Sequence, residues 1–172
     1  MAKLNLGSGF SKKEGWINLD NNPQTRPEIL RDLNHGIPYN NNTITEILAE
    51  HILEHFEGHE LIRLFNEMHR VLIPFGKLEF AVPWGNNSFI DPTHKQHFIP
   101  LSFNFFFLPD NNSIGSGVKG WFRPIKLIMK DSEFRWFFEK IPDSYLIEHM
   151  EKYYQGGTTY DFKYQIEDLR TK

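Results

Sequence analysis

The sequence predicts an α/β domain with a mostly parallel sheet. Three observations carry this. Short apolar runs repeatedly end in polar or glycine elements. One segment, 59–72, switches to a helical period and is followed by a clear strand. The length, 172 residues, suits one domain with a sizeable core, since domains run about 100–200 residues.

The elements follow in order. Lys3–Leu6 is a strand that ends in Gly7-Ser8-Gly9. Trp16–Leu19 alternates and ends at Asp20, and Glu28–Leu33 is a further short run that includes Asp32. Ile44–Ala49 starts β-branched and ends at Glu50-His51. Leu61, Ile62, Leu64, Phe65, Met68, Val71 and Leu72 recur at helical spacing, and Pro74-Phe75-Gly76 stops that helix. Lys77–Val82 is the next strand. Beyond Pro83 the pattern is weaker: Trp121–Met129 and Phe134–Phe138 read as a hairpin, 142–154 as a helix and 158–169 as a closing strand. The connections between the first strands are too short for full crossover helices. Gly115-Ser116-Gly117, with Asn111 and Asn112, reads as a loop tip.

Composition removes several functions. The absence of cysteine excludes disulfides, thiolate zinc sites, iron–sulfur clusters and thiol nucleophiles. A net charge of −3 gives no basic footprint, so nucleic acid is a disfavoured partner. No stretch approaches the roughly 20 apolar residues of a membrane span. The first residues enter an apolar strand pattern with no signal-peptide features, and we expect a soluble, cytoplasmic protein. The chain has sixteen Phe, crowded into its second half, which holds eleven of them.

Three strand ends carry site chemistry. Glycines let backbone N–H groups approach a polar ligand, although Gly7-Ser8-Gly9 alone is equally an ordinary strand-end turn. Asp20 lies 11 residues beyond Gly9. A carboxylate there can accept both ribose hydroxyls of a nucleoside, and the spacing is too short for a dinucleotide fold. Its alternative is a turn residue before Asn21-Asn22-Pro23. Asp32 is the third. In an open α/β sheet all three converge on the carboxyl edge, where ligands bind.

These residues resemble class I S-adenosylmethionine-dependent methyltransferases. Leu6-Gly7-Ser8-Gly9, Trp16-Ile17-Asn18-Leu19-Asp20, and Asp32-Leu33 with Ile37-Pro38-Tyr39 follow that family's order. Ala49-Glu50-His51-Ile52-Leu53-Glu54-His55-Phe56 is similar to its fourth-strand segment. Glu67-Met68-His69-Arg70-Val71-Leu72-Ile73-Pro74-Phe75-Gly76 is similar to the stretch before its fifth strand, with Phe75 in place of a glycine. The likeness covers 3–83 and extends loosely to Asp91-Pro92-Thr93-His94, as in a branch of predicted methyltransferases with a trimmed first helix.

The resemblance implies a Rossmann-like, three-layer domain over 1–172, whose mostly parallel sheet has a reversed last strand, supplied by 158–169. Residues 1–83 would form the cofactor half and 84–172 the acceptor or lid half. It implies S-adenosylmethionine as cofactor. Leu6, Gly7, Ser8 and Gly9 would line its methionine and ribose. Asp20, with Asn21 beside it, would hold the ribose hydroxyls. Asp32 and Leu33 would flank the adenine, and Glu50 and His51 would sit beside the methyl group. The chain departs from the pattern in lacking a third glycine and a full first helix.

Two polar clusters remain. His51-Ile52-Leu53-Glu54-His55 matches an inverted zinc-protease motif, but His51 directly follows a strand pattern, so zinc is disfavoured there. Glu54 and His55 are read instead as a network at a helix start that positions Glu50. Asp91, His94 and His97 could hold a divalent metal, form a plain polar loop, or bring His94 or His97 to an acceptor as general base. The expected activity is methyl transfer to an acceptor oxygen or nitrogen lying between 50–51 and the 91–97 loop, with His94, His97, His51 and Glu50 as the candidate catalytic groups. The acceptor, small or polymer-borne, is not legible. The alternatives are a degenerate methyltransferase fold that serves as a binding module, and a metal-dependent hydrolase built on Asp91, His94 and His97. The Phe-rich segment, Phe98 to Phe107 with Trp84 and Phe89, is read as core or lid packing, with an acceptor wall or a homo-oligomer contact as alternatives.

Overall fold

A computed structural model describes residues 2–107, 115–142 and 166–168. Its strands are β1 (Ala2–Leu6), β2 (Ile17–Asp20), β3 (Ile29–Leu30), β4 (Ile44–Glu50), β5 (Leu72–Pro83), β6 (Phe122–Met129), β7 (Glu133–Lys140) and β8 (Ile166–Asp168). They form one sheet in the order β3-β2-β1-β4-β5-β7-β6-β8. The first five strands are parallel to one another. β7 runs antiparallel to both β5 and β6. A Rossmann-like sheet with one reversed strand is therefore present. The reversed strand is 133–140: the 121–138 hairpin inserts its second arm beside β5, whereas β8, the described part of the segment expected to supply it, pairs parallel to β6. The expected helix at 142–154 and loop residues Asn111 and Asn112 lie outside the described residues, as does most of 158–169.

The α-helix α1 spans Gly58–Val71. The Glu60 carboxylate accepts the backbone N–H of Glu57 at 2.8 Å, which satisfies an otherwise unpaired donor at the helix start. The helix stops at Val71, before the Pro74-Phe75-Gly76 breaker, and the chain enters β5 at Leu72. Pro74 to Gly76 sit in an irregularity of the β4–β5 pairing, where the register jumps from Ile44↔Leu72 to Glu46↔Lys77. A Cβ at Gly76 would come within 2.9 Å of the Ile73 carbonyl oxygen, so this fold-back needs glycine. The run at Glu28–Leu33 shrinks to a two-residue strand, because Asp32 turns the chain by accepting the N–H of Asn34 at 2.8 Å.

Strand alternation divides the sheet into two unlike faces. One carries Leu4, Leu6, Ile47, Ala49, Leu78, Phe80, Trp136 and Phe138, all buried. α1 and the Phe-rich segment cover it. Phe65 of α1 stacks on Phe106 with ring centroids 3.9 Å apart and meets Phe80, Phe103 and Phe122. Phe98, Phe103, Phe106 and Phe107 are buried, so these rings are core, whereas Phe89, Ile99 and Leu101 are exposed. The segment packs where a second helix would otherwise lie, and its aromatic contacts replace helix packing.

The other face is polar. Lys3, Glu46, Lys77, Glu139 and Arg123 occupy successive strands across the sheet in alternating sign. Lys3 pairs with Glu46 at 2.8 Å and Lys77 with Glu139 at 2.6 Å, and Arg123 also reaches Glu139. Cross-strand opposite charges of this kind stabilise neighbouring strands. Burial works against ionisation of Glu139, but Lys77 and Arg123 outweigh it and hold its carboxyl below the ordinary value. No helix among the described residues is long and apolar enough to cross a membrane.

Two outcomes follow from this architecture. Phe65→Ala should cost about 3–5 kcal/mol in denaturant unfolding, because a fully buried ring leaves a cavity among other rings. Arg135→Gln tests the polar face by pH. The Arg135 partner Glu50 and the neighbouring Glu133 titrate below 4.5 when folded and near 4.5 when unfolded. Their stabilisation is therefore full above that value and lost as pH falls through the lower folded value. The stability gap between wild type and Arg135→Gln should be largest near neutral pH and shrink below about pH 4. A gap independent of pH would contradict the pairing.

Candidate functional site

The carboxyl ends of β1, β2 and β4 meet at one edge. β1 runs into Gly7 and Gly9, both at positive φ, 60° and 51°. A Cβ on Gly7 would come within 2.5 Å of Ile52, whereas one on Gly9 would meet nothing within 4 Å. Gly7 thus permits close packing, and Gly9 faces open space. Asp20 fixes the turn. Its Oδ2 accepts the Gly9 N–H and its Oδ1 accepts the Asn22 N–H, each at 2.8 Å. The carboxylate is 8% exposed and keeps further lone pairs on both oxygens. The Ser8 hydroxyl is buried and has no hydrogen-bond partner.

A cavity of about 360 Å³ opens over this turn, walled by Gly7, Ser8, Gly9, Glu50, His51 and Arg135 among others. A small recess of about 40 Å³ shares Gly7 and is lined by Asp20, Asn21, Asp32, Leu33, Ile52 and Phe56. The structure therefore brings Gly7, Ser8, Gly9, Asp20, Asn21, Asp32, Leu33, Glu50 and His51 to one groove. Leu6 is fully buried below it. A larger cavity, about 530 Å³, lies at the opposite edge among Asn42, Arg63, Lys119 and Lys140; Glu67, His69 and Arg70 of the helix-end motif border it, but none of the candidate cofactor or catalytic residues does. The carboxyl edge is the place where α/β sheets bind ligands, which favours the smaller pair.

Glu50 is engaged rather than free. Arg135 reaches it at 2.6 Å and Lys13 at 3.1 Å. Burial opposes its charge, but Arg135 and Lys13 overcome that and keep the carboxyl below its ordinary range. Glu54 and His55 do not position Glu50, contrary to the sequence-based expectation; this is done by Arg135 from the distant β7. Arg135 also pairs with Glu79. His51 adopts φ 52°, a strained conformation for a residue with a Cβ. Its Nε2 lies 2.9 Å from Glu133. Glu54 beside it favours the imidazolium and Glu133 adds to this against burial, so its pKa is raised.

The 91–97 loop lies against the segment that follows β4. The Glu54 carbonyl accepts the N–H groups of Lys95 and Gln96 at 2.8 and 3.0 Å. His94 and His97 each place Nδ1 on the Ser88 carbonyl oxygen, at 2.8 and 3.0 Å. His97 stacks on Phe89. Asp91 comes within 3.8 Å of His94 Nε2. Asp91 and His94 are thus neighbours, while His97 turns away to Phe89.

The sequence reading missed three contributors. Arg135 and Glu133 are ordinary polar positions of a strand, and only the β5–β7 pairing places them at the site. Arg70 is a clamp: its guanidinium donates to the carbonyls of Ile37 and Tyr39 and to Glu67, which itself accepts the Ile37 N–H at 3.0 Å. It secures the loop after Asp32 from beneath. Its signal was the Glu67/Arg70 spacing of one helical turn.

No known protein family and no curated protein matches the sequence. Solved structures do match in fold. A methyltransferase from Archaeoglobus fulgidus described as S-adenosylmethionine-dependent superposes with a TM-score of 0.59 at 15% identity, over 81% of this chain and 86% of the other. One from Mesorhizobium loti gives 0.54 at 14% identity, over 80% and 90%. A chain in the Haloferax volcanii complex of the Trm112 methyltransferase activator with a candidate methyltransferase gives 0.58 at 10% identity, over 82% and 83%. The sheet order, the reversed strand and these superpositions together show that the chain has the fold of S-adenosylmethionine-dependent methyltransferases.

Proposed function

We propose that the protein binds S-adenosylmethionine at the carboxyl edge and transfers its methyl group to an acceptor oxygen or nitrogen. The observation that carries this reading is the turn at residues 7–9: an orphaned Ser8 hydroxyl and an open Gly9 beside a carboxylate, Asp20, already fixed by two backbone N–H groups. A polar ligand with hydroxyl donors satisfies these groups, and the remaining lone pairs of Asp20 suit ribose hydroxyls. Asp32, Leu33, Ile52 and Phe56 offer a narrow, partly apolar recess for a flat base. Arg135 and Lys13 put positive charge beside Glu50, where a cofactor carboxylate could be held.

The cofactor supplies a sulfonium methyl group, which is displaced in line by an acceptor lone pair. Such chemistry depends mainly on orientation, which is what a fixed turn and a strained, anchored His51 provide. The acceptor lies between Glu50/His51 and the 91–97 loop. An acceptor that carries a proton needs somewhere to send it, and a neutral His94 ring offers Nε2 as its accepting nitrogen, because Nδ1 donates to a carbonyl that only accepts. His97 has the same tautomer from the same bond.

Calorimetric titration tests the cofactor claim. S-adenosylmethionine and S-adenosylhomocysteine should bind at micromolar concentrations. Asp20→Ala should weaken both by about 10-fold or more, the worth of charge-assisted hydrogen bonds. No heat from either compound, or an unchanged affinity in a folded Asp20→Ala protein, would contradict the reading. Binding without turnover on any acceptor pool would instead identify a non-catalytic module.

A further inference from the structure

Glu54 is an anomaly. The residue is 0% exposed, and neither carboxylate oxygen has a hydrogen-bond partner. Burying a carboxylate without hydrogen bonds costs several kcal/mol, and buried charges in proteins are hydrogen-bonded, paired or coordinate metals. The nearest polar atoms are imidazole nitrogens, His51 Nδ1 at 3.6 Å and His94 Nε2 at 3.9 Å from Oε1. These gaps are too long for hydrogen bonds. The His94 gap is about half an ångström longer than the spacing of about 3.4 Å between ligand atoms that share a tetrahedral ion at bond lengths near 2.1 Å.

We propose that Glu54, His55 and His94 form a binding site for one divalent transition-metal ion. One ligand atom from each lies within 4.8 Å of the others. A small rotamer adjustment closes that triangle onto an ion. His94 is already arranged as a ligand. Its Nδ1–H donates to the Ser88 carbonyl at 2.8 Å, which leaves the Nε2 lone pair facing Glu54. A backbone carbonyl on the far nitrogen is the usual second-sphere partner of a metal-bound histidine. The two segments are tied together by the Glu54 carbonyl and the N–H groups of Lys95 and Gln96, so the ligands do not depend on a free loop. Asp91, 3.8 Å from His94 Nε2, adds negative charge at the rim.

Two nitrogens and one carboxylate suit zinc, cobalt or manganese rather than calcium or magnesium, which prefer all-oxygen sites. Three protein ligands leave a position for water or an acceptor oxygen. This set differs from both metal readings of the sequence. The His51-x-x-Glu54-His55 motif contributes only its second half, since His51 lies outside the cluster of ligand atoms within 4.8 Å, and His97 is turned to Phe89. The site stands whether or not the cofactor claim does; with an ion on His94 Nε2, the acceptor's proton would go to His97 instead.

The test uses the full chain, stripped with a chelator and then titrated calorimetrically with zinc and, separately, followed by visible absorption with cobalt. Wild type should take up one equivalent tightly, show low-symmetry cobalt bands and unfold at a higher temperature with zinc. His94→Gln and Glu54→Gln should each weaken zinc uptake by about 100-fold and lose the cobalt bands. Metal-free Glu54→Gln should fold at least as stably as metal-free wild type, because the buried charge is gone. No stoichiometric uptake by wild type at about 100 μM free zinc would overturn the proposal. So would equal uptake by wild type and a folded His94→Gln protein, which would point to scattered surface histidines.

Discussion

The structure depends on one short connection. Only residues 7–16 join β1 to its parallel neighbour β2, and they contain no helix. Parallel strands usually need a crossover of a dozen or more residues, with a helix that covers one sheet face. Here that face has to be made compatible with other cover. Asn5 and Asn18, on adjacent strands, hydrogen-bond each other at 2.8 Å, and Asn18 also takes the Lys13 N–H, so the connection is sewn to the sheet by amides. Farther across, the alternating charges from Lys3 to Arg123 continue the polar face. Mostly parallel sheets are normally apolar on both sides. This one is apolar on one side only among its described residues, and its aromatic residues are concentrated there.

The same connection makes the site. A turn this tight must pass through positive φ at Gly7 and Gly9, and Asp20 locks it by bridging it to the end of β2. The polar face then delivers charge to the groove, because Arg135 reaches Glu50 from the same side of the sheet that Lys13 does. Structural and functional roles therefore overlap. Arg135 stabilises the sheet and sets the charge of Glu50 at the same time.

Much of this was legible from residues 3–83. Glycine after a strand, acid at a strand end and the 3.6 period of α1 are local signals, and each places its residue without knowledge of partners. Long-range placement was not legible. The reversed strand was sought at 158–169 because a closing strand is expected late in the chain; pairing is decided by which strand matches β5, and 133–140 does so with Trp136 opposite Phe80. The Phe-rich segment has no α-helical or strand period to read, since it packs as a short 3-10 helix, Pro100–Phe106, and irregular chain. Glu54 does lie in a short helix, Leu53–His55, but its burial depends on the 91–97 loop, which is distant in sequence.

The central claim is that the groove bounded by Gly7–Gly9, Asp20 and Asp32 is where the nucleoside cofactor sits. Backbone amide chemical shifts recorded during titration with S-adenosylhomocysteine test it most directly. The account predicts that the largest changes fall on Gly7, Ser8, Gly9, Asn21, Asn22 and Leu33. Changes centred instead on Asn42, Lys119 and Lys140 at the opposite edge, or no changes at saturating ligand, would contradict it.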